Sequence, residues 1–154
     1  MKSYIEDFLN THGLLVAAVD GLSEEQARWK QKPEVWSVQE VLAHLVDHSI
    51  VTSFRIRDIL AGTTVQLPAF QQDAWVSGQY ANDGNVSDIL QAFHALLQYN
   101  GLLLRRLTAA DKAKTGVNFK GETVSITDLI GAFIRHVHRH LDQIERIKQA
   151  AMLA

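Results

Sequence analysis

The chain has 154 residues, 47% apolar and 21% charged, with a formal net charge of -2, which suits one globular domain able to bury roughly two-thirds of its unfolded surface. No excess of Lys and Arg is available to neutralise phosphates, so nucleic acid is not an expected partner. Cysteine is absent, which excludes disulfides, Cys-ligated zinc and a protein thiol nucleophile.

Residues 1–10 carry acids and polar groups where a signal peptide needs an unbroken apolar region. No apolar run approaches the 18 or so residues of a membrane span. The expected location is the cytoplasm, with no membrane partner. Ile5, Phe8, Leu9, His12, Leu15, Val16 and Val19 then recur at helical spacing, one stripe of an amphipathic helix that Gly21 ends. Ser23 with Gln26 forms a capping-box pattern, so a short helix is expected before Trp29 and the Pro33 turn. Ser37 with Glu40 forms another and opens a second long helix that runs to Gly62.

From Gly62 to Val86 lies a connection of roughly 24 residues without sustained periodicity, longer than the ~12–15 residues beyond which structureless loops are usually functional or disordered. It holds Leu67, Phe70, Trp75 and Tyr80, too much apolar surface for disorder, so it is expected to pack against the body. A third long helix starts near Ser87 with Ile89, Phe93, Leu96, Leu97, Leu103 and Leu104. Val117 and Phe119 alternate ahead of Lys120-Gly121, the mark of a small extended excursion or hairpin. A fourth helix opens near Ser125, with Asp128 favourable to its dipole, and runs to about Gln149.

A faint internal repeat runs through these elements. Leu22-Ser23-Glu24-Glu25 precedes Ser37-Val38-Gln39-Glu40 as Leu107-Thr108-Ala109-Ala110 precedes Ser125-Ile126-Thr127-Asp128. Each set continues into a long helix, and two such helix pairs would make a four-helix bundle.

The histidines carry the chemistry. On the fourth helix the apolar stripe is Leu129, Phe133, His136, Val137, His140, Ile144 and Ile147. His136 and His140 therefore sit one turn apart on the inward face. His138 lies about 200° round from His136 and should face solvent. An inward i, i+4 histidine pair is a good bidentate arrangement for a divalent transition metal. The second helix supplies a further imidazole, since its stripe is Val41, His44, Leu45 and His48. Spacing leaves open whether His48 replaces His44 or joins it. Imidazoles buried without partners would each cost a few kcal/mol, roughly, whereas a shared metal satisfies them together. Facing helices of bundles recurrently build such sites. His12 is expected to be a hydrogen-bonded core or site-lining residue, and His94 a surface or boundary residue of the third helix.

Trp36-Ser37-Val38-Gln39-Glu40-Val41-Leu42-Ala43-His44-Leu45-Val46-Asp47, with a histidine eight residues after the tryptophan, resembles the second-helix motif of the DinB/YfiT-like metalloenzymes, the DinB superfamily. His136-x-x-x-His140-x-x-Gln143-Ile144 is similar to the last-helix pair of that family. Gly62, Pro68 and Asp73-Ala74-Trp75 look like its loop after helix two. The resemblance covers essentially the whole chain, 1–154.

It implies an all-α four-helix bundle with a long loop after helix two, often a homodimer. It assigns the ligands to His44, His136 and His140, leaves His48 as a neighbour, and implies zinc or nickel. Family members with assigned activity include thiol S-transferases using bacillithiol-type cofactors and mycothiol-dependent isomerases. A three-nitrogen site with an open position is catalytic in character, since a metal lowers the pKa of bound water, or of a bound thiol. With no cysteine of its own, the chain is expected to act on a small molecule together with an external low-molecular-weight thiol, as a transferase. A metal-dependent hydrolase and a non-catalytic, stress-related metal- or ligand-binding bundle are the alternatives. Asp47, three residues after His44, is a candidate to orient a ligand or act as a base, with a solvated helix residue as the plain alternative. Gln143, near His140, is a candidate hydrogen-bond partner.

Overall fold

The computed structural model describes residues 3–66 and 68–154; Leu67, one of the apolar residues of the long connection, lies outside them. In chain order the elements are α1 (Tyr4–Val19), α2 (Glu24–Arg28), α3 (Val38–Leu60), α4 (Gln72–Gly78), a 3-10 turn (Ala81–Asp83), α5 (Val86–Arg106), α6 (Ala109–Lys112), β1 (Thr115–Val117), β2 (Thr123–Ser125) and α7 (Ile126–Met152). The long helices α1, α3, α5 and α7 form a four-helix bundle around one apolar core. Phe8, Leu15, Leu42, Leu45, Ile56, Phe93, Leu97, Phe133 and Ile144 are among its buried members. No helix of the described residues is long and apolar enough to cross a membrane.

Helix starts follow from side chains that satisfy the free N–H groups of the first turn. Reciprocal capping boxes join Ser3 to Glu6, Ser23 to Gln26, Ser37 to Glu40, Thr108 to Asp111 and Ser125 to Asp128. The Ser125 box is more than the dipole effect expected for Asp128, because an aspartate at that position also reaches back to the cap N–H. Gly62 follows the end of α3 at φ 79, a left-handed conformation that glycine adopts without a Cβ penalty.

The bundle has an alternating arrangement. Both α1 and α3 pack against both α5 and α7, so helices consecutive in the first half stand diagonally across the bundle. The repeat seen in the sequence recurs in three dimensions as long, short and long helix, α1–α2–α3 and α5–α6–α7. This topology sets α3 beside α7, which brings the two histidine-bearing stripes face to face.

The connection after α3 is more ordered than its sequence suggests. It contains α4 and the 3-10 turn, with Val76 and Ala81 buried against Ala43 and Trp36. Phe70 is half-buried. Trp75 and Tyr80, expected to pack inward, are 39% and 73% exposed; the anchoring falls instead to small residues and to hydrogen bonds. Gln39 Nε2 donates to the Ala81 carbonyl at 3.0 Å, and the Ser37 hydroxyl donates to Asn82 Oδ1 at 2.7 Å. Asn82 Nδ2 in turn donates to the Arg28 carbonyl at 3.0 Å. The N-terminus of α3, two turns before His44, is thereby tied to both flanking segments.

The extended excursion is a full hairpin. β1 and β2 pair antiparallel with Gly116 opposite Val124. Asn118 Oδ1 accepts from the N–H groups of Lys120 and Glu122 at 3.0 and 2.9 Å, an Asx-type turn. Phe119 lies in that turn, 44% exposed, rather than in a strand.

Candidate metal centre

The first half of α3 is buried almost all round, from Val38 through Leu45, and His44 is fully buried within it. On α7 the apolar stripe carries Phe133, Val137 and Ile144 into the core, and the same face presents His136 and His140 towards α3. The three imidazoles meet through their Nε2 atoms. His136 Nε2 lies 3.1 Å from His44 Nε2 and 3.1 Å from His140 Nε2. Each residue offers one nitrogen, and all three nitrogens fall within 4.8 Å of one another.

Hydrogen bonds among the rings cannot account for this arrangement in full. Gln143 Oε1 lies 2.7 Å from His140 Nδ1. An amide oxygen only accepts, so Nδ1 carries the proton and His140 Nε2 keeps its lone pair. His136 Nε2 has one in-plane position and cannot both donate to one neighbour and accept from the other. A divalent cation resolves the conflict. Zinc–nitrogen distances of 2.0–2.1 Å in a tetrahedral site put ligand nitrogens about 3.3 Å apart, close to the separations seen. The donor set suits zinc and nickel alike.

The electrostatics agree. Burial, with His140 nearby, lowers the His44 pKa to about 4. Burial, with His48, His140 and His44 nearby, lowers that of His136 to about 2. Burial also lowers His140, with the Gln143 hydrogen bond acting the other way. All three imidazoles are therefore held neutral, the form that ligates a metal. Aromatic rings enclose them. Trp36 lies 4.9 Å from the His44 ring and 6.4 Å from His140, and Phe70 stacks with His44 at 6.0 Å.

The profile of the DinB superfamily matches residues 8–144. The chain belongs to the DinB superfamily. The fold of this DinB-superfamily chain is similar to that of YfiT from Bacillus subtilis, described as a probable metal-dependent hydrolase with an unusual four-helix bundle topology. The TM-score is 0.86 at 20% identity, over 95% of this chain and 84% of that one. It is also similar to a mycothiol-dependent maleylpyruvate isomerase, with a TM-score of 0.71 at 12% identity, over 92% of this chain and 62% of that one. The chain thus spans less than two-thirds of that enzyme's length. No curated protein sequence matches it.

Among the other residues that the DinB resemblance or the spacing singled out, His48 stands beside the cluster and outside it. Its ring lies 3.9 Å from His136 and stacks with Phe133 at 5.6 Å. Burial and the neighbouring His44 and Arg55 lower its pKa to about 3. Asp47 is buried, and its Oδ2 accepts from Gln79 Nε2 at 2.7 Å. Burial raises its pKa against that hydrogen bond. The contact ties α3 to the end of α4, and no hydrogen bond joins Asp47 to a histidine among the described residues. His12 lies away from the centre, its ring 4.1 Å from that of His94, with both half-buried. His138 is exposed.

Sequence reasoning missed the cavity beside the centre. It measures about 400 Å³ and reaches His136 and His48. Arg55, Lys120 and Arg139 line it, yet they come from three elements far apart in the chain. Only the approach of the hairpin to α3 and α7 collects them, so no local motif signals it.

Proposed function

We propose that this chain is a divalent-metal-dependent enzyme that transfers a low-molecular-weight thiol to a small electrophile. His44, His136 and His140 would hold the ion through Nε2. The observation that carries the reading is the convergence of three neutral imidazole nitrogens beside an open cavity, a donor set that leaves a coordination position free. When bound, the ion supplies Lewis-acid activation, lowering the pKa of a coordinated thiol or water.

The residues around the centre favour the thiol. Asp47 is committed to Gln79, and Asp128, the acid lining the cavity, accepts from the Ser125 N–H at 2.9 Å. Both carboxylates are engaged in these contacts, and His48, whose pKa is lowered to about 3, is a weak base for the proton removal that water activation calls for. A thiol, with an ordinary pKa of about 8.5, needs less assistance. In the reaction it gives up its proton to solvent, its sulfur forms a bond to the electrophilic carbon, and the leaving group departs with the electron pair of the broken bond. Trp36 and Phe70 shield the imidazoles from water, and Gln143 holds His140 in the ligating tautomer. A hydrolase is the second reading, favoured by the likeness of the fold to YfiT.

The test begins with elemental analysis of protein purified without an affinity tag. About one zinc or nickel per chain is expected in the wild type and none in His136→Ala. Zinc-loaded protein should then consume cysteine in the presence of 1-chloro-2,4-dinitrobenzene, and His44→Ala should lose at least nine-tenths of that rate. Turnover of p-nitrophenyl acetate without thiol, and none with thiol and electrophile, would replace the transferase with the hydrolase. Metal-free wild type that cannot be reloaded would remove both.

A further inference from the structure

The cavity that ends on His136 and His48 has an unbalanced wall. Arg55 comes from α3, Lys120 from the β1–β2 turn and Arg139 from α7, against a single acid, Asp128. That carboxylate is already used at the α7 cap, where the Ser125 N–H and hydroxyl hold its pKa below the ordinary carboxylate range. With the histidines neutral, the wall carries two more positive than negative charges, in a chain whose net charge is -2.

None of the three cations has a carboxylate partner among the described residues. Lys120 and Arg139 are exposed enough for water to solvate them. Arg55 is not. Its Nε is buried and meets no hydrogen-bond partner among the described residues. One Nη reaches the Pro68 carbonyl at a long 3.4 Å, and the guanidinium sits 5.9 Å from the Phe119 ring centroid. A half-buried guanidinium with an unused N–H is costly alone and well matched to a planar oxyanion, which accepts two parallel hydrogen bonds from its fork. The volume of about 400 Å³ is within the usual range for small-molecule sites. It leaves room for a carbon skeleton between the cations and His136.

We propose that this cavity binds a small carboxylate-bearing molecule, anchored by Arg55 and assisted by Arg139 and Lys120, with its reacting end towards His136. The proposal rests on the metal-dependent reading for what happens at that end, but the anion site itself does not need the metal. The carboxylate belongs either to the thiol or to the electrophile, and the two sources can be told apart.

Titration calorimetry at low salt would compare succinate with its neutral analogue succinamide on the zinc-loaded protein. Succinate should bind the wild type, weaken at least tenfold in Arg55→Gln and about threefold in Arg139→Gln, and weaken further as salt rises. Succinamide should give no heat. Arg139 is exposed, so Arg139→Gln remains informative if Arg55→Gln folds poorly. Failure of succinate to bind, or equal binding by wild type and both variants, would overturn the proposal even if the zinc content is normal. Succinate binding by wild type that takes up no metal would leave the anion site standing and remove only the metal-dependent reading. For the source, mercaptosuccinate is added to cobalt-loaded protein. A sulfur-to-cobalt charge-transfer band that saturates at tenfold lower concentration in wild type than in Arg55→Gln places the carboxylate on the thiol. Succinate binding without such a band places it on the electrophile.

Discussion

Gln143 occupies the position one turn beyond His140 on α7, and its Oε1 accepts the Nδ1–H of that imidazole at 2.7 Å. It touches no reacting atom in the proposed chemistry; it is a positioning residue that fixes which nitrogen faces the centre. Loss of such a partner typically costs 10–100-fold in metal affinity, roughly. Gln143→Leu should therefore weaken zinc binding by about that factor in competition with a chromophoric chelator, with helical content unchanged. Gln143→Glu, which keeps an acceptor, should restore most of it. Equal affinities for Gln143→Leu and wild type would show that packing alone orients His140. The i, i+4 pair on α7 is legible in the sequence because one helix face decides it. Spacing does not make the choice between His44 and His48, because the first half of α3 is buried on every side and a stripe cannot separate two inward imidazoles one turn apart. In the sequence that choice rests on the resemblance of residues 36–47 to the DinB motif alone. Arg55 is legible still less, since its role depends on a hairpin more than sixty residues later.

At the level of elements, the helix starts carry most of the local information. The reciprocal boxes at Ser23 and Ser37 stand out because Gln and Glu are the usual third-position partners. Those at Thr108 and Ser125 use aspartate and read more weakly, although the geometry is the same. Two caps of identical type should differ in worth according to what else their hydroxyls do. Ser125 Oγ accepts from the Asp128 N–H, and its loss should cost about 1 kcal/mol. Ser37 Oγ accepts from Glu40 and also donates to Asn82 at a fully buried position. Ser37→Ala removes the cap and leaves the Asn82 oxygen unsatisfied, a combined loss of about 2–3 kcal/mol. At roughly 2–4 °C per kcal/mol for a chain of this size, Ser37→Ala should melt lower than Ser125→Ala by several degrees. Coincident melting curves for the two variants would mean that the Asn82 contact contributes nothing. Helix α4 escaped the sequence reading because it has no side-chain cap and only seven residues of pattern, so neighbours hold it rather than its own periodicity.

The molecule as a whole places its histidines where two diagonal helix pairs interlock. A metal held between α3 and α7 would join residues more than ninety positions apart, and without it the bundle carries a set of imidazoles that must stay neutral. In the metal-free protein the folded-state pKa values of His44, His48 and His136 lie at about 4, 3 and 2, below the 6.5 of an unfolded histidine. Between those limits the unfolded chain binds protons that the folded chain refuses. Stability then rises with pH across this interval, so it is greatest above about pH 6.5 and falls as the solution is acidified towards pH 4. Zinc held by the three histidines would act in the opposite sense, since it would bind only the folded arrangement. At a free concentration one hundred times the dissociation constant it adds about 2.7 kcal/mol, or a rise in Tm of roughly 5–10 °C. Protons compete for the same nitrogens only where the folded imidazoles titrate, at about pH 4 and below for His44 and His136, so the gap between zinc-loaded and metal-free melting curves should hold from pH 8 to pH 5. Scanning calorimetry of both forms across that range checks the argument. A gap that narrows already between pH 8 and pH 5 would mean that the folded imidazoles titrate near the ordinary histidine value, and a gap retained in His136→Ala would mean that the ion binds elsewhere on the surface.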